Sequence, residues 1–157
     1  MAPSNAKRIL IAEDTKSIRN ILAFMLKSHG YEVFESSDGD DALEKAIALL
    51  PDLLVLDVMM PGKTGFEICS ILKGNEAYRN IRILILTAAT RDSGKSDAHW
   101  KRISNADDFI SKPFKALDMV ERIEKLLGRK GPAEPETLKD KTYEITSDSD
   151  EPGETKR

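Results

Sequence analysis

Hydrophobic residues along the chain fall into short runs separated by segments with helical spacing. Five of the runs have the length and apolar character of β-strands, and three of these are almost continuously apolar. Near-continuous apolar runs are typical of strands covered on both faces, as in a parallel sheet. The predicted strands are Arg8–Ala12, Tyr31–Ser36, Asp52–Asp57, Ile81–Thr87 and Asp108–Lys112.

Predicted helices fill the segments between these strands. Gly30 and Pro51 stand where the first two helices should end. The five predicted helices lie at about residues 18–26, 39–50, 65–73, within 92–105, and 117–127. Strand and helix alternating five times predict an α/β fold, with right-handed crossovers and a doubly wound, five-stranded parallel sheet between two layers of helices.

Composition divides the chain into three parts: a flexible N-terminus at residues 1–7, one α/β domain at residues 8–128, and a polar tail at residues 129–157. The tail is rich in charge and proline and has only four apolar residues: Ala133, Leu138, Tyr143 and Ile145. So little apolar surface does not offset the entropy of ordering, which predicts a disordered tail. The alternative is a docking segment around Lys141–Thr146 that orders on a partner.

Charge and cysteine content exclude several classes of protein. The net charge is -3 with both signs interspersed, so no basic stripe is present and no nucleic-acid partner is expected. The single cysteine, Cys69, excludes an intramolecular disulfide and a cysteine metal cage, and it is expected to be a packed or half-exposed thiol. Without a signal-peptide core or a membrane-length apolar run, the protein is expected to be cytoplasmic.

Polar residues stand at the ends of the predicted strands. The carboxyl ends of parallel strands share one edge of the sheet, where such folds bind their ligands. The second strand contributes only Ser36, Ser37 and Asp38, a turn that we expect to cap the next helix. The remaining strands contribute Glu13, Asp14, Asp57, Thr87 and Lys112.

Three of these residues are acids that would crowd together if the first and third strands are neighbours. Like charges at short range raise one another's pKa unless a cation intervenes. Carboxylates in a site open to water suit Mg²⁺, with Mn²⁺ as a possible substitute. An ammonium from Lys112 and a hydroxyl from Thr87 would complete a pocket for a phosphoryl group. Each residue alone has an ordinary structural explanation, and the ordered set favours a site.

Four segments resemble the receiver domain of two-component response regulators: ILIAEDTKSIRNIL, PDLLVLDVMMPGKTGFEI, ILILTA and ADDFISKPF. The resemblance covers about Arg8 to Gly128. It implies a flavodoxin-like receiver fold with strand order 2-1-3-4-5, similar to the chemotaxis response regulator. It also implies a bacterial signalling protein in which Asp57 takes a phosphoryl group from a sensor histidine kinase or a phosphotransfer protein.

The resemblance assigns roles to the strand-end acids. Asp14 and Asp57 are expected to bind Mg²⁺ directly, together with the main-chain carbonyl of Met59. Glu13 is expected to act through metal-bound water.

The resemblance also implies a switch. Thr87 and Lys112 are expected to contact phosphoryl oxygens, with a cis bond between Lys112 and Pro113 aiming the lysine inward. Coupling through Thr87 to Phe109 would change the partner preference of the surface formed by the fourth predicted helix, the fifth strand and the fifth predicted helix. The alternative is that Phe109 is only a packed aromatic residue.

The segment before the fifth strand departs from the family pattern. It is longer than in the chemotaxis regulator, and Asn105 replaces the usual glycine, although asparagine tolerates a left-handed backbone. Trp100, on the presumed signalling face, is expected to be half-buried core, with a partner contact as the alternative. His29 and His99 have no metal-ligand company and are expected at the surface.

The leading functional prediction is a phosphorylation-dependent switch without its own output domain, acting on an unknown output protein. It would catalyse only its own phosphoryl transfer and dephosphorylation, and so is not expected to be an enzyme. A phosphorelay intermediate and a phosphorylation-independent adaptor are the alternatives. A phosphatase of the haloacid dehalogenase type is disfavoured, because it needs a second aspartate where Met59 stands.

Overall fold

The computed structural model describes residues 6–87 and 105–128, together with the backbone of residues 144–145. None of the helices in these ranges is long and apolar enough to cross a membrane. The strands are β1 (Arg8–Ala12), β2 (Glu32–Ser36), β3 (Leu53–Asp57), β4 (Arg82–Thr87), β5 (Asp108–Ser111), β6 (Phe114–Lys115) and β7 (Glu144–Ile145). The helices are α1 (Lys16–Ser28), α2 (Gly39–Leu49), α3 (Gly65–Lys73) and α4 (Ala116–Leu126).

Strands β1 to β5 form a parallel sheet of order β2-β1-β3-β4-β5, as predicted. The register pairs Ala12 with Leu56 and Thr87 with Ser111, so the carboxyl ends of the central strands meet at one edge. The helix predicted fifth is α4 here. The helix predicted within residues 92–105 falls almost wholly outside the described residues.

Two hydrophobic cores cover the two faces of the sheet. Alternate residues of β1 point to opposite faces, so Ile9 and Ile11 join one core while Leu10 and Ala12 join the other. Buried residues of α1 and α4 complete the first core, and those of α2 and α3 complete the second. The fold is therefore a three-layer α/β sandwich whose central strands are buried on both sides.

Helix caps fix the loops around the carboxyl edge of the sheet. The Asp38 side chain accepts a hydrogen bond from the Asp41 amide at 2.8 Å, which confirms the predicted cap of α2. Thr64 and Glu67 form a reciprocal capping box at the start of α3. A Cβ at Gly65 would lie 2.6 Å from the Asp57 carbonyl oxygen, so only glycine lets α3 begin this close to the end of β3.

The segment that leads into β5 contains Asn105 in a left-handed backbone conformation. Asn105 has φ 63°, as anticipated for the position where the family usually has glycine. Two residues on, Asp107 accepts a hydrogen bond from the Ile83 amide at 2.7 Å and pairs with Lys73 at 2.8 Å. These contacts fix the start of β5 against β4 and α3.

His29 is buried, so the prediction of a surface position is wrong. It is 4% exposed, and its Nδ1 lies 2.9 Å from the carbonyl oxygen of Met25, in the last turn of α1. The chain reverses at Gly30, which has φ 90°, and the next residue, Tyr31, is also buried. The turn thus folds the imidazole onto the helix end, where the Met25 carbonyl that Nδ1 contacts also accepts the main-chain amide of His29 at 3.2 Å.

Of the other single-residue expectations, the one for Cys69 is met. Cys69 is fully buried in α3, which agrees with a packed thiol. His99 and Trp100 lie outside the described residues.

Strand β7 comes from the segment for which a docking role was left open. It pairs antiparallel with β6, with Phe114 opposite Ile145 and Lys115 opposite Glu144. A two-residue ladder supplies little stability by itself. The disordered tail and the three-part division of the chain stay predictions.

Candidate functional site

Three acids meet at the carboxyl edge of the sheet, as the sequence predicted. Glu13 and Asp14 follow β1, and Asp57 is the last residue of β3, the neighbour of β1. Carboxylate oxygens from all three lie within 4.8 Å of one another. Glu13 and Asp57 are buried, whereas Asp14 is exposed, so solvent reaches the cluster from the side of Asp14.

Glu13 is held by protein groups on both carboxylate oxygens. The Thr15 amide donates to Oε2 at 3.1 Å, and the Lys112 ammonium donates to Oε1 at 3.2 Å. The main-chain amide of Glu13 donates to the Ser36 carbonyl at 3.0 Å. Because both oxygens are engaged, Glu13 is less available than Asp14 as a direct metal ligand.

Lys112 joins the cluster from the end of β5, and its side chain is only 7% exposed. Its Nζ lies 3.5 Å from Asp57 Oδ1 as well as 3.2 Å from Glu13 Oε1. Its main-chain amide donates to the Thr87 carbonyl at 2.8 Å, and its bond to Pro113 is cis. The buried ammonium partly compensates two buried carboxylates that would otherwise repel each other.

The Asp57 carboxyl is electrostatically unfavourable without a further cation. Burial, together with the neighbouring Glu13 carboxylate, raises the pKa of Asp57 from 3.8 to about 7. The Lys112 ammonium and a backbone hydrogen bond from Met59 oppose the rise. A divalent cation bound to hard oxygen ligands would remove this penalty, so the donor set fits Mg²⁺ or Mn²⁺.

Asp57→Asn is expected to stabilise the metal-free protein above neutral pH. The folded-state pKa of about 7 exceeds the ordinary value of 3.8, so ionising Asp57 opposes folding. This cost is absent at low pH, grows between the two values and is complete above the higher one. At about pH 8 in chelator, the variant should exceed wild type by on the order of 4 kcal/mol in the free energy of unfolding.

Urea denaturation across pH checks this expectation. The difference should shrink to nearly zero at about pH 3 and below, where Asp57 is neutral in both states. Asp118→Asn, on an exposed position of α4, is the control and should show no such growth with pH. A variant that is no more stable than wild type at the higher pH would contradict the electrostatic explanation.

Thr87 and Phe109 are buried near this edge of the sheet. The Thr87 hydroxyl donates to the Ser111 hydroxyl at 3.3 Å. The Phe109 ring packs against Phe66 of α3, with centroids 6.2 Å apart. Phe109 therefore has the packing that the structural alternative requires, and its part in a switch stays a prediction.

Met59 follows Asp57 by two residues, and its side chain is exposed. It contributes a backbone hydrogen bond to Asp57. The expected role of its carbonyl as a metal ligand stays a prediction.

Sequence reasoning missed Arg19, which contacts the site from α1. Its Nη1 donates to the Glu13 carbonyl oxygen at 2.8 Å, and its Nε donates to a Glu35 carboxylate oxygen at 3.3 Å. A cation near a helix N-terminus opposes the helix dipole, and this unfavourable placement was the available signal.

Comparison with known proteins matches residues 9–124 to the family described as the response regulator receiver domain. The phosphate regulon transcriptional regulatory protein PhoB of Pseudomonas aeruginosa is 37% identical over 131 residues, which are 83% of this chain and 56% of that protein. PhoB of Escherichia coli K12 is 34% identical over 128 residues, or 81% and 54%. The chain thus spans about half the length of these curated relatives.

Solved structures agree with the sequence match. A putative response regulator from Chloroflexus aurantiacus superposes with TM-score 0.72 and 30% identity, covering 80% of this chain and all of that one. The chemotaxis response regulator CheY4 of Vibrio cholerae gives 0.70 and 30%, covering 78% and 99%. The receiver domain of the P. aeruginosa sensor histidine kinase PA1611, with a magnesium ion coordinated in its active site cleft, gives 0.69 and 25%, covering 78% and 98%. Sequence and fold therefore lead to the same conclusion, that this chain belongs to the response regulator receiver domain family.

Proposed function

We propose that Asp57 accepts a phosphoryl group from a phosphohistidine on a sensor histidine kinase or phosphotransfer protein, in a reaction that depends on Mg²⁺. The observation that carries the proposal is the cluster of Glu13, Asp14 and Asp57 beside the buried Lys112. Three crowded acids are costly to keep in a protein that has no use for a cation, which disfavours a purely structural adaptor.

The metal ligands in this proposal are the carboxylates of Asp14 and Asp57 and the main-chain carbonyl of Met59, with Glu13 acting through water. Asp14 is exposed and so is reachable by a hydrated ion. When bound, Mg²⁺ would offset negative charge on the acids and on the phosphoryl oxygens.

The transfer itself requires little from the protein beyond position and charge. An Asp57 carboxylate oxygen forms the new bond to phosphorus as the bond from the histidine nitrogen breaks, and the nitrogen keeps that electron pair. Lys112 would move from Glu13 and Asp57 to a phosphoryl oxygen, and the Thr87 hydroxyl would bond another. Donors aimed at oxygens that gain charge stabilise the transition state.

Phosphorylation would be read out through Thr87. Its hydroxyl is bonded to Ser111 in the described conformation, so contact with a phosphoryl oxygen requires a new partner. The change would reach Phe109 and the predicted signalling face, to which β5, α4 and the helix expected within residues 92–105 are assigned, altering contacts with an output protein. Passing the phosphoryl group to another histidine-bearing protein is the alternative output.

The partners and the cellular location of the protein are part of the same proposal. A kinase-coupled receiver would work in the cytoplasm of a bacterial cell. Transcriptional regulation is named for PhoB proteins of which the matched segment is only 54% to 56%, and the expected lack of a nucleic-acid partner stays a prediction. The absence of further enzyme activity is likewise an expectation.

Metal removal tests the proposal. The full chain is incubated with acetyl phosphate and Mg²⁺, and intact mass is measured before and after acid treatment. We expect one acid-labile phosphoryl group per chain, no addition in chelator, and recovery with Mn²⁺. Phosphoryl incorporation that is unchanged by the chelator would contradict a metal-dependent acceptor. No incorporation with any small phosphodonor would favour the phosphorylation-independent adaptor.

A further inference from the structure

Arg19 lies in the first turns of α1, where the helix dipole disfavours a cation, and the proposed reaction assigns it no role. Its side chain is only 16% exposed. A charged group that is both shielded from water and placed against a dipole needs specific partners. The contacts of its guanidinium therefore indicate why it is there.

The guanidinium connects the acidic loop to the neighbouring strand. Nη1 donates to the Glu13 carbonyl oxygen at 2.8 Å, and Nε pairs with Glu35 of β2 at 3.3 Å. The main-chain carbonyl oxygen of Glu35 in turn accepts a hydrogen bond from Lys45 Nζ at 2.6 Å. Arg19 is thus anchored on β2 at one end and holds the loop at the other.

The carbonyl that Arg19 binds belongs to the peptide unit joining Glu13 to Asp14. Strand β1 ends at Ala12, so this carbonyl lies beyond the sheet ladder. The peptide unit is planar, so fixing its oxygen restrains the backbone dihedrals on both sides. Those dihedrals set the relative directions of the Glu13 and Asp14 side chains.

We propose that Arg19 is a positioning residue that fixes the Glu13–Asp14 peptide and thereby sets the affinity of the acidic cluster for Mg²⁺. Its effect on metal binding is independent of phosphorylation, whereas its effect on phosphorylation rests on the function proposed above. An arginine suits the task because its planar fork serves a carbonyl and a carboxylate at once, whereas the single ammonium of a lysine preserves only part of these contacts.

Whether loss of Arg19 weakens or strengthens Mg²⁺ binding distinguishes a positioning role from a purely electrostatic effect of its charge. Removing a positive charge close to a cation site would, by electrostatics alone, strengthen Mg²⁺ binding. Loss of a positioning contact has the opposite effect, since outer partners of metal ligands typically contribute about tenfold or more in metal affinity.

Mg²⁺ titration by calorimetry on the full chain tests the proposal. Arg19→Ala should weaken Mg²⁺ binding by about tenfold, and Arg19→Lys should weaken it by a smaller factor. Arg79→Ala, which removes an exposed arginine paired only with Glu76 among the described ion pairs, is the control and should bind as wild type does. Circular dichroism verifies that each variant is folded.

A second readout uses the phosphorylation rate with acetyl phosphate. For Arg19→Ala the rate should approach that of wild type as Mg²⁺ is raised, because the missing contact acts through metal affinity. Unchanged or tighter Mg²⁺ binding in both Arg19 variants would overturn the proposal. If wild type itself takes no phosphoryl group, the proposed function fails, while the calorimetric test of Arg19 still stands; if Arg19→Ala does not fold, Arg19→Lys decides.

Discussion

Asp57→Asn is expected to abolish incorporation of an acid-labile phosphoryl group and to leave the fold intact. An amide oxygen is not a carboxylate nucleophile, so the acyl phosphate cannot form at that position. The neutral side chain has nearly the same shape and relieves repulsion with Glu13, so the buried end of β3 should tolerate it. Intact mass after incubation with acetyl phosphate and Mg²⁺ measures the first effect, and circular dichroism the second.

Asp118→Asn provides the matched control for this variant. It makes the same chemical change on the exposed surface of α4, away from the cluster, and should be phosphorylated as wild type is. Continued labelling of Asp57→Asn at another residue would remove Asp57 from its proposed role.

Lys112→Ala is expected to keep Mg²⁺ binding but to lose most of the phosphorylation response. Removing the ammonium leaves the acids more negative, so the metal should bind at least as tightly as in wild type. The phosphoryl group loses a donor placed in a buried site, where one such donor contributes about 100-fold or more to the rate. Stopped-flow kinetics with acetyl phosphate measures the rate, and calorimetry measures the affinity for Mg²⁺.

Lys115→Ala is the control, because this lysine follows three residues later and is exposed. It should leave both quantities unchanged. A phosphorylation rate for Lys112→Ala within twofold of wild type would refute the assignment of the lysine. If phosphorylation changes the affinity of Lys112→Ala for an output partner as it does in wild type, the coupling role of Lys112 is refuted.

Much of the fold follows from local sequence because the central strands are buried on both faces. The run LLVLD has four consecutive apolar residues, which favour a position in the interior of the sheet. The predicted strand therefore differs from the observed β3, Leu53–Asp57, by only one residue. The strand order does not follow from periodicity and came from resemblance to the receiver family. The site is predictable because its acids, hydroxyl and lysine all stand at strand ends, which a parallel sheet brings to one edge.

The remaining features depend on approaches between distant parts of the chain. The Lys112 contact with Glu13 joins residues 99 apart in sequence, and Arg19 reaches Glu35 across 16 residues. Neither pairing leaves a pattern in local hydrophobicity. His29 was misplaced because its burial is decided by the turn at Gly30, which folds the ring onto α1.

The surroundings of Asp57 make a carboxylate at the end of this apolar strand costly. Burial and Glu13 raise the pKa of Asp57, an arrangement that opposes folding of the metal-free protein. A residue kept at such a cost is expected where function requires it.

The central claim is that the phosphoryl group resides on Asp57. The direct measurement is to phosphorylate the full chain with acetyl phosphate and Mg²⁺, reduce the acyl phosphate with borohydride, and locate the resulting homoserine by peptide mass spectrometry. Homoserine at position 57, absent when the metal is chelated, is the predicted result. Homoserine at another aspartate, or an acid-stable phosphate on a hydroxyl residue, would contradict the claim.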